Sequence, residues 1–225
     1  MRLEPACRLT GHEACVVRGT FSSHGKLATA SADSSAKIWD LSEGRWCEGG
    51  LSSALKLVST LGGLHTHPLT GCAWHGSGNW LVTACEGGDL RLWDIRTGVP
   101  VGSAKCDDPT YCVSLVASLS SHYPSDHNKP HIDAVASHAP LASVEHAQDD
   151  SVIITAGLDG AVRMWSSWSA DCLRTLGAGA SGTECMGATI ATRDIRDKSA
   201  SVYVAGLYSD GLARVWDLRS NRSMR

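Results

Sequence analysis

Four tryptophans in this 225-residue chain sit inside one five-residue pattern. The segments are Ala36-Lys37-Ile38-Trp39-Asp40, Leu90-Arg91-Leu92-Trp93-Asp94, Val162-Arg163-Met164-Trp165-Ser166 and Ala213-Arg214-Val215-Trp216-Asp217. Each reads apolar, basic, apolar, Trp, and Asp follows in three of the four. Alternation with a period of two is the mark of a strand with one buried face. Six residues before each Trp stand Asp33, Gly87, Asp159 and Asp210, the last two followed directly by Gly. Asp-Gly predicts a tight turn, because Gly accepts positive φ and Asp bonds its local backbone. Small and β-branched runs precede the turns, such as Leu27-Ala28-Thr29-Ala30-Ser31 and Ile153-Ile154-Thr155-Ala156-Gly157. A hairpin closed by a Trp strand therefore occurs four times.

The pattern reaches further back in the first two units. His12 lies 27 residues before Trp39, and His65 lies 28 before Trp93. Phe21 through Leu27 parallels Trp74 through Leu81, an aromatic strand end followed by a Gly turn and the next strand. The Trp-to-Trp spacings are 54, 72 and 51. A period somewhat above 40 residues, with a Gly-His start and a Trp-Asp end, is the signature of a propeller blade.

On these residues the chain resembles the WD-repeat β-propeller family, with Gly11-His12 through Trp39-Asp40 the fullest match. The resemblance implies an all-β fold with four recognisable blades in one domain over 1–225. The repeats fall at about 6–45, 57–97, 99–168 and 172–219, with an inserted loop at about 118–150 in the third. It also implies a hydrogen-bonded tetrad bracing each blade, carried in the first repeat by His12, Ser31, Asp33 and Trp39. The later tetrads are partial. The second keeps His65 and Trp93 but has Cys85 and Gly87 in the other two places; the third keeps Asp159 and Trp165, and the fourth Asp210 and Trp216. Most of the family close with seven blades. Four blades make either a small closed ring or an open part of a larger propeller, and a strand over 6–10 is expected to pair with the last blade.

Composition narrows the function classes. A net charge of −3 argues against a chain whose main task is gripping nucleic acid through its phosphates. No stretch approaches the roughly 20 apolar residues of a membrane helix, and Met1 through Pro5 lead into no apolar signal-like region. The nine Cys contain no C-x-x-C, so they are expected as reduced, mostly small core residues. The expected location is intracellular, cytoplasmic or nuclear.

Three constellations invite a chemical reading. His12, Ser31 and Asp33 are the residue types of a hydrolase triad, but no Gly-x-Ser-x-Gly elbow accompanies them. Gly177-Ala178-Gly179-Ala180-Ser181-Gly182 fits a dinucleotide fingerprint, yet a strand-like run, Met186 to Thr192, follows where a helix is needed. Five His lie between 122 and 146, but Pro130 breaks the helix that would align His127 with His131. The expectation is no catalytic residue, no metal and no cofactor.

The resemblance implies a non-enzymatic scaffold that binds other proteins. Two alternatives remain within the family. Trp-Asp-x-Arg, at Trp93 to Arg96 and Trp216 to Arg219, would dock a substrate receptor to the adaptor of a cullin-RING ubiquitin ligase through Arg96 or Arg219. The segments around Trp74 and Trp216 are also similar to a WD-repeat subunit of an RNA-processing, spliceosomal particle. Self-association, or completion of the propeller by another chain, belongs to the same expectation.

Overall fold

A computed structural model describes residues 8–41, 46–47, 50–51, 56–105, 113–117, 152–166, 171–177, 183–192, 202–218 and 222–224. Among them there is no helix. The chain forms β1 (Val16–Phe21), β2 (Lys26–Ser31), β3 (Ala36–Asp40), a small hairpin of β4 (Trp46–Cys47) and β5 (Gly50–Leu51), and then β6 (Lys56–Leu61). There follow β7 (Leu69–Trp74), β8 (Trp80–Cys85), β9 (Asp89–Asp94), β10 (Val99–Lys105), β11 (Val113–Ala117), β12 (Val152–Ala156), β13 (Val162–Ser166) and β14 (Cys172–Leu176). The last four are β15 (Cys185–Thr192), β16 (Val202–Tyr208), β17 (Ala213–Asp217) and β18 (Arg222–Met224). They assemble as four antiparallel sheets of four strands, ordered β1-β2-β3-β6, β7-β8-β9-β10, β11-β12-β13-β14 and β15-β16-β17-β18. These are propeller blades, each with its Trp on the third strand.

The turn between the second and third strands is built alike in all four sheets. The fifth residue before each Trp has positive φ: Ser34 at 65°, Gly88 at 79°, Gly160 at 76° and Gly211 at 81°. Only the first blade places a side-chain-bearing residue there, and Ser34 bears the steric cost that glycine avoids. Asp33 Oδ1 accepts the Ser35 N–H at 2.9 Å, Asp159 Oδ1 that of Ala161 at 3.1 Å, and Asp210 Oδ1 that of Leu212 at 3.0 Å. The turn aspartates thus hold their own backbone, as their residue type predicts.

The Trp-bearing faces of the second, third and fourth sheets each pack on the sheet before. Trp93, Leu81 and Cys85 meet Ala28, Ala30, Ala36 and Ile38 of the first sheet. Trp165 and Ile153 meet Val82, Ala84 and Leu90 of the second. Trp216, Tyr208 and Val204 meet Ile154, Ala156, Val162 and Met164 of the third. Contact between sheets runs from first to second, second to third and third to fourth, led by β1 with β7, β7 with β11 and β12 with β15. Among the described residues no comparable contact joins fourth to first. The four blades form an open row.

One expectation about strands needs correction. Residues 8–10, the described part of the strand expected over 6–10, lie in no sheet, and the outer strand of the fourth sheet is β18. The strand after each Trp also completes its own blade. A repeat counted from before Gly-His is therefore offset by one strand from the sheet it helps build.

Candidate functional site

The polar centre of the first blade grows from the register of β2 and β3. Trp39 lies opposite Leu27, and Thr29 is its diagonal neighbour toward the turn. Diagonal neighbours on one face are within reach of a large aromatic side chain. The Trp39 indole N–H accordingly donates to Thr29 Oγ1 at 2.9 Å. His12 Nε2 lies 2.8 Å from the same hydroxyl, and its Nδ1 lies 2.8 Å from Asp33 Oδ2. A proton on Nδ1 then goes to the carboxylate, while Nε2 accepts the Thr29 O–H. Three of the residues named for the tetrad, His12, Asp33 and Trp39, are brought together around Thr29. The fourth is not: Ser31 Oγ donates to Ala14 O at 3.2 Å and accepts the Asp33 N–H at 3.2 Å. Thr29 takes the place assigned to Ser31, because Ser31 is one step further along the strand, beyond the reach of the indole.

Burial opposes ionisation of Asp33, but hydrogen bonds from the Ser35 hydroxyl, His12 and the N–H groups of Glu13 and Ser35 outweigh it. Its carboxyl is held well below the usual carboxylate range. His12, Thr29 and Asp33 are therefore bonded to one another and to the indole.

The second blade repeats half of this arrangement. Thr83 Oγ1 accepts the Trp93 indole N–H at 2.8 Å and lies 2.7 Å from His65 Nε2. Cys85 is not a substitute for the hydroxyl, which Thr83 supplies. With Gly87 where Asp33 stands in the first blade, His65 Nδ1 is buried with no hydrogen-bond partner among the described residues. Burial, then the charge of Arg91, push the His65 pKa down to about 4, against a smaller upward pull from Asp89.

The third blade keeps the hydroxyl, Thr155 accepting the Trp165 indole N–H at 2.9 Å. Asp159 pairs with Arg163. The fourth blade departs furthest. Gly206 stands at the threonine position, and Tyr208 fills the space, its O–H donating across to Gly160 O of the third sheet at 3.1 Å. Its ring lies 6.4 Å from that of Trp216 and carries the Arg214 guanidinium at 4.0 Å. Asp210 holds Arg214 at 2.6 Å. Threonine ten residues before Trp in three of four units was the overlooked signal.

Other sequence candidates are placed as follows. Arg96 is exposed on the turn after β9, where its N–H donates to Asp94 Oδ1 at 2.8 Å. Arg219, the His-rich segment 122–146 and residues 178–182 lie outside the described residues. Gly177, opening the glycine run, abuts Tyr208 and Trp216, and β15 is the strand that follows. Among the described residues no group of three His, Cys, Asp or Glu is placed to hold a metal. Cys72, Cys85 and Cys185 are buried free thiols, while Cys15 and Cys172 are free and exposed. No helix among them is long and apolar enough to cross a membrane.

Among the described residues most of the large apolar side chains left exposed lie on the two end sheets, while Leu64, Val99 and Leu173 are exposed between them. Val16, Phe21 and Leu57 lie on the first, and Met186, Leu207 and Leu212 on the fourth.

Comparison with known proteins agrees with this geometry. The sequence profile for the WD domain, G-beta repeat, matches residues 3–40, 55–94 and 114–166. The chain is 28% identical over 194 residues to mouse telomerase protein component 1, covering 76% of this chain and 7% of that protein. It is 25% identical over 211 residues to Arabidopsis thaliana cleavage stimulation factor subunit 50, covering 84% and 48%. It is 24% identical over 192 residues to the yeast COMPASS component SWD3, covering 85% and 47%. The chain thus spans about half of two of these relatives and a small part of the third. With its profile over more than half the sequence and its blades in the structure, the chain belongs to the WD domain, G-beta repeat family.

Proposed function

We propose that this protein is a non-enzymatic scaffold that binds other proteins within a multiprotein complex. One observation carries the reading: His12, Thr29, Asp33 and Trp39 are bonded to one another in bracing the first blade, while most of the large exposed apolar side chains stand on the end sheets. Exposed apolar patches of this kind fit protein contact rather than catalysis. The names of three relatives, a telomerase component, a cleavage stimulation factor subunit and a COMPASS component, support membership in assemblies of several parts. The same names support an intracellular site, cytoplasmic or nuclear. Direct nucleic-acid binding is not part of the proposal, given the net charge of −3.

Affinity purification of the tagged chain from its native cells, read by mass spectrometry, tests the proposal. Defined protein partners at near-stoichiometric yield are expected. Recovery of the chain alone at every salt concentration would sink the scaffold.

Exposure of Arg96 on its turn supports a second reading, docking to the adaptor of a cullin-RING ligase. Adaptor recovered with wild type and lost on Arg96→Ala is its expected result. Membership of an RNA-processing particle is the third reading, carried by the segments around Trp74 and Trp216; nuclear RNA co-purifying with the complex would distinguish it.

A further inference from the structure

We infer that the turn of the second blade at Gly87 is a binding site for a carboxylate supplied from outside the blade, held by His65 and Arg91. The site is separate from the scaffold reading and stands without it.

The other three sheets each hold a carboxylate at this place, six residues before the Trp. Asp33 Oδ2 takes His12 Nδ1 at 2.8 Å in the first. Asp159 takes the Arg163 guanidinium in the third, and Asp210 that of Arg214 in the fourth at 2.6 Å. The second blade carries both kinds of donor, His65 and Arg91, and puts Gly87 where the acid stands. Among the described residues nothing replaces the acid: His65 Nδ1 and Arg91 Nε are buried with no hydrogen-bond partner. His65 is 5% exposed. Arg91 is near enough for its charge to act on His65, and its Nη2 donates to Leu64 O, next to His65, at 2.8 Å. Asp89 also acts on His65, but it lies 4.0 Å from Lys105 Nζ and bonds neither orphaned atom.

The proton on His65 decides the sign of the ligand. Its Nε2 lies 2.7 Å from Thr83 Oγ1, which already accepts the Trp93 indole N–H at 2.8 Å. The hydroxyl then donates to Nε2, so the proton of the neutral ring sits on Nδ1. Nδ1–H and the Arg91 Nε–H are both donors, and a donor pair that includes a guanidinium calls for an anionic acceptor, not a metal ion. A carboxylate matches best, because glycine subtracts from the aspartate pattern one carboxymethyl group, the bulk of one acetate. A water would satisfy a donor but leave the Arg91 charge without a counterpart.

The way in runs past His67. Gly87 is half-buried and His67 exposed. A Cβ on Gly87 would stand 2.6 Å from His67 Nδ1, so this ring lies over the vacancy, with Thr66 Oγ1 3.0 Å from the same nitrogen. An exposed side chain rather than backbone therefore covers this approach to Gly87, and rotation of the ring admits a ligand.

Two sources supply such a group, a free small carboxylate or the acidic side chain of a bound polypeptide. Heteronuclear NMR of the full chain, labelled at histidine nitrogen and titrated with sodium acetate against sodium chloride at equal ionic strength, tests the shared chemistry. A saturable displacement of the His65 Nδ1 signal is expected, with a Kd on the order of millimolar for so small a ligand. A parallel titration uses the blocked peptide acetyl-glycyl-aspartyl-glycine amide. Displacement by acetate alone assigns a free carboxylate, and displacement by the peptide, with or without acetate, assigns an acidic side chain. Gly87→Asp supplies the carboxylate from within and is expected to abolish the response. Arg91→Gln is expected to weaken binding about tenfold, and it carries the comparison if Gly87→Asp does not fold. A wild-type His65 signal that moves no more in acetate and peptide than in chloride overturns the inference. A Gly87→Asp response equal to that of wild type overturns it as well.

Discussion

Gly87→Asp should stabilise the protein, most visibly in acid. In the first blade Asp33 Oδ2 sits 2.8 Å from His12 Nδ1; in the second, Gly87 leaves His65 Nδ1 without an acceptor. An unsatisfied buried donor costs about 1–3 kcal/mol. The Gly87 φ is not positive, so an L-residue fits the backbone. A Cβ there would come within 2.6 Å of His67 Nδ1, but His67 is exposed and its ring can swing away at modest cost. A net gain of about 1–2 kcal/mol at neutral pH follows, and a chain of this size shifts in Tm by about 2–4 °C per kcal/mol.

The pH dependence separates this from a general surface effect. His65 titrates near 4 in the fold against 6.5 when unfolded. Its folded pKa is depressed, so protons prefer the unfolded chain, and stability falls as pH drops from 6.5 toward 4. Linkage sets that loss at about 2 kcal/mol between pH 7 and pH 5. A carboxylate beside Nδ1 favours the charged imidazole and should remove most of the loss. Thermal melts of wild type and Gly87→Asp from pH 7.5 to 5 measure both effects. No gain at pH 7 together with an unchanged acid slope would refute the assignment of His65.

Thr29→Val removes the hydroxyl shared by Trp39 and His12 and should cost about 2–4 kcal/mol in thermal denaturation, two buried groups losing their partner. Tyr208→Phe loses the bond to Gly160 O between the third and fourth sheets and the contact with the Cys185 thiol, a cost of about 1–2 kcal/mol in thermal denaturation; an unchanged Tm would contradict the hydroxyl's part in joining the two sheets. Ser34→Gly should stabilise by about 0.5–1 kcal/mol, relief of left-handed strain exceeding the entropy gained by the unfolded chain. A drop in Tm for this variant would contradict the turn geometry.

The strands were legible because each Trp strand alternates strictly and each turn carries its own Asp or Gly. The segments 26–31 and 36–40 come out within a residue of the expected bounds. The threonines were missed for a geometric reason. A large indole bonds its diagonal neighbour on the facing strand, whereas the Ser31 assignment assumed a position one step nearer the turn. The vacancy beside His65 was readable from Gly87, but its consequence required knowing that Nδ1 is buried. The strand expected over 6–10 failed because an apolar run near Gly-His carries no information about which sheet it joins. What leaves Phe21 exposed and buries Trp74 is position in the row of blades, which no local pattern encodes.

Hydroxyl-radical footprinting of the chain, diluted until light scattering gives a single copy of 23.8 kDa, tests the open row of blades most directly. The open row predicts rapid oxidation of Phe21 and strong protection of Trp74, since the first lies on an uncovered face and the second between two sheets. Protection of Phe21 to the level of Trp74 in that single copy would mean that the four blades close upon themselves, contradicting the account.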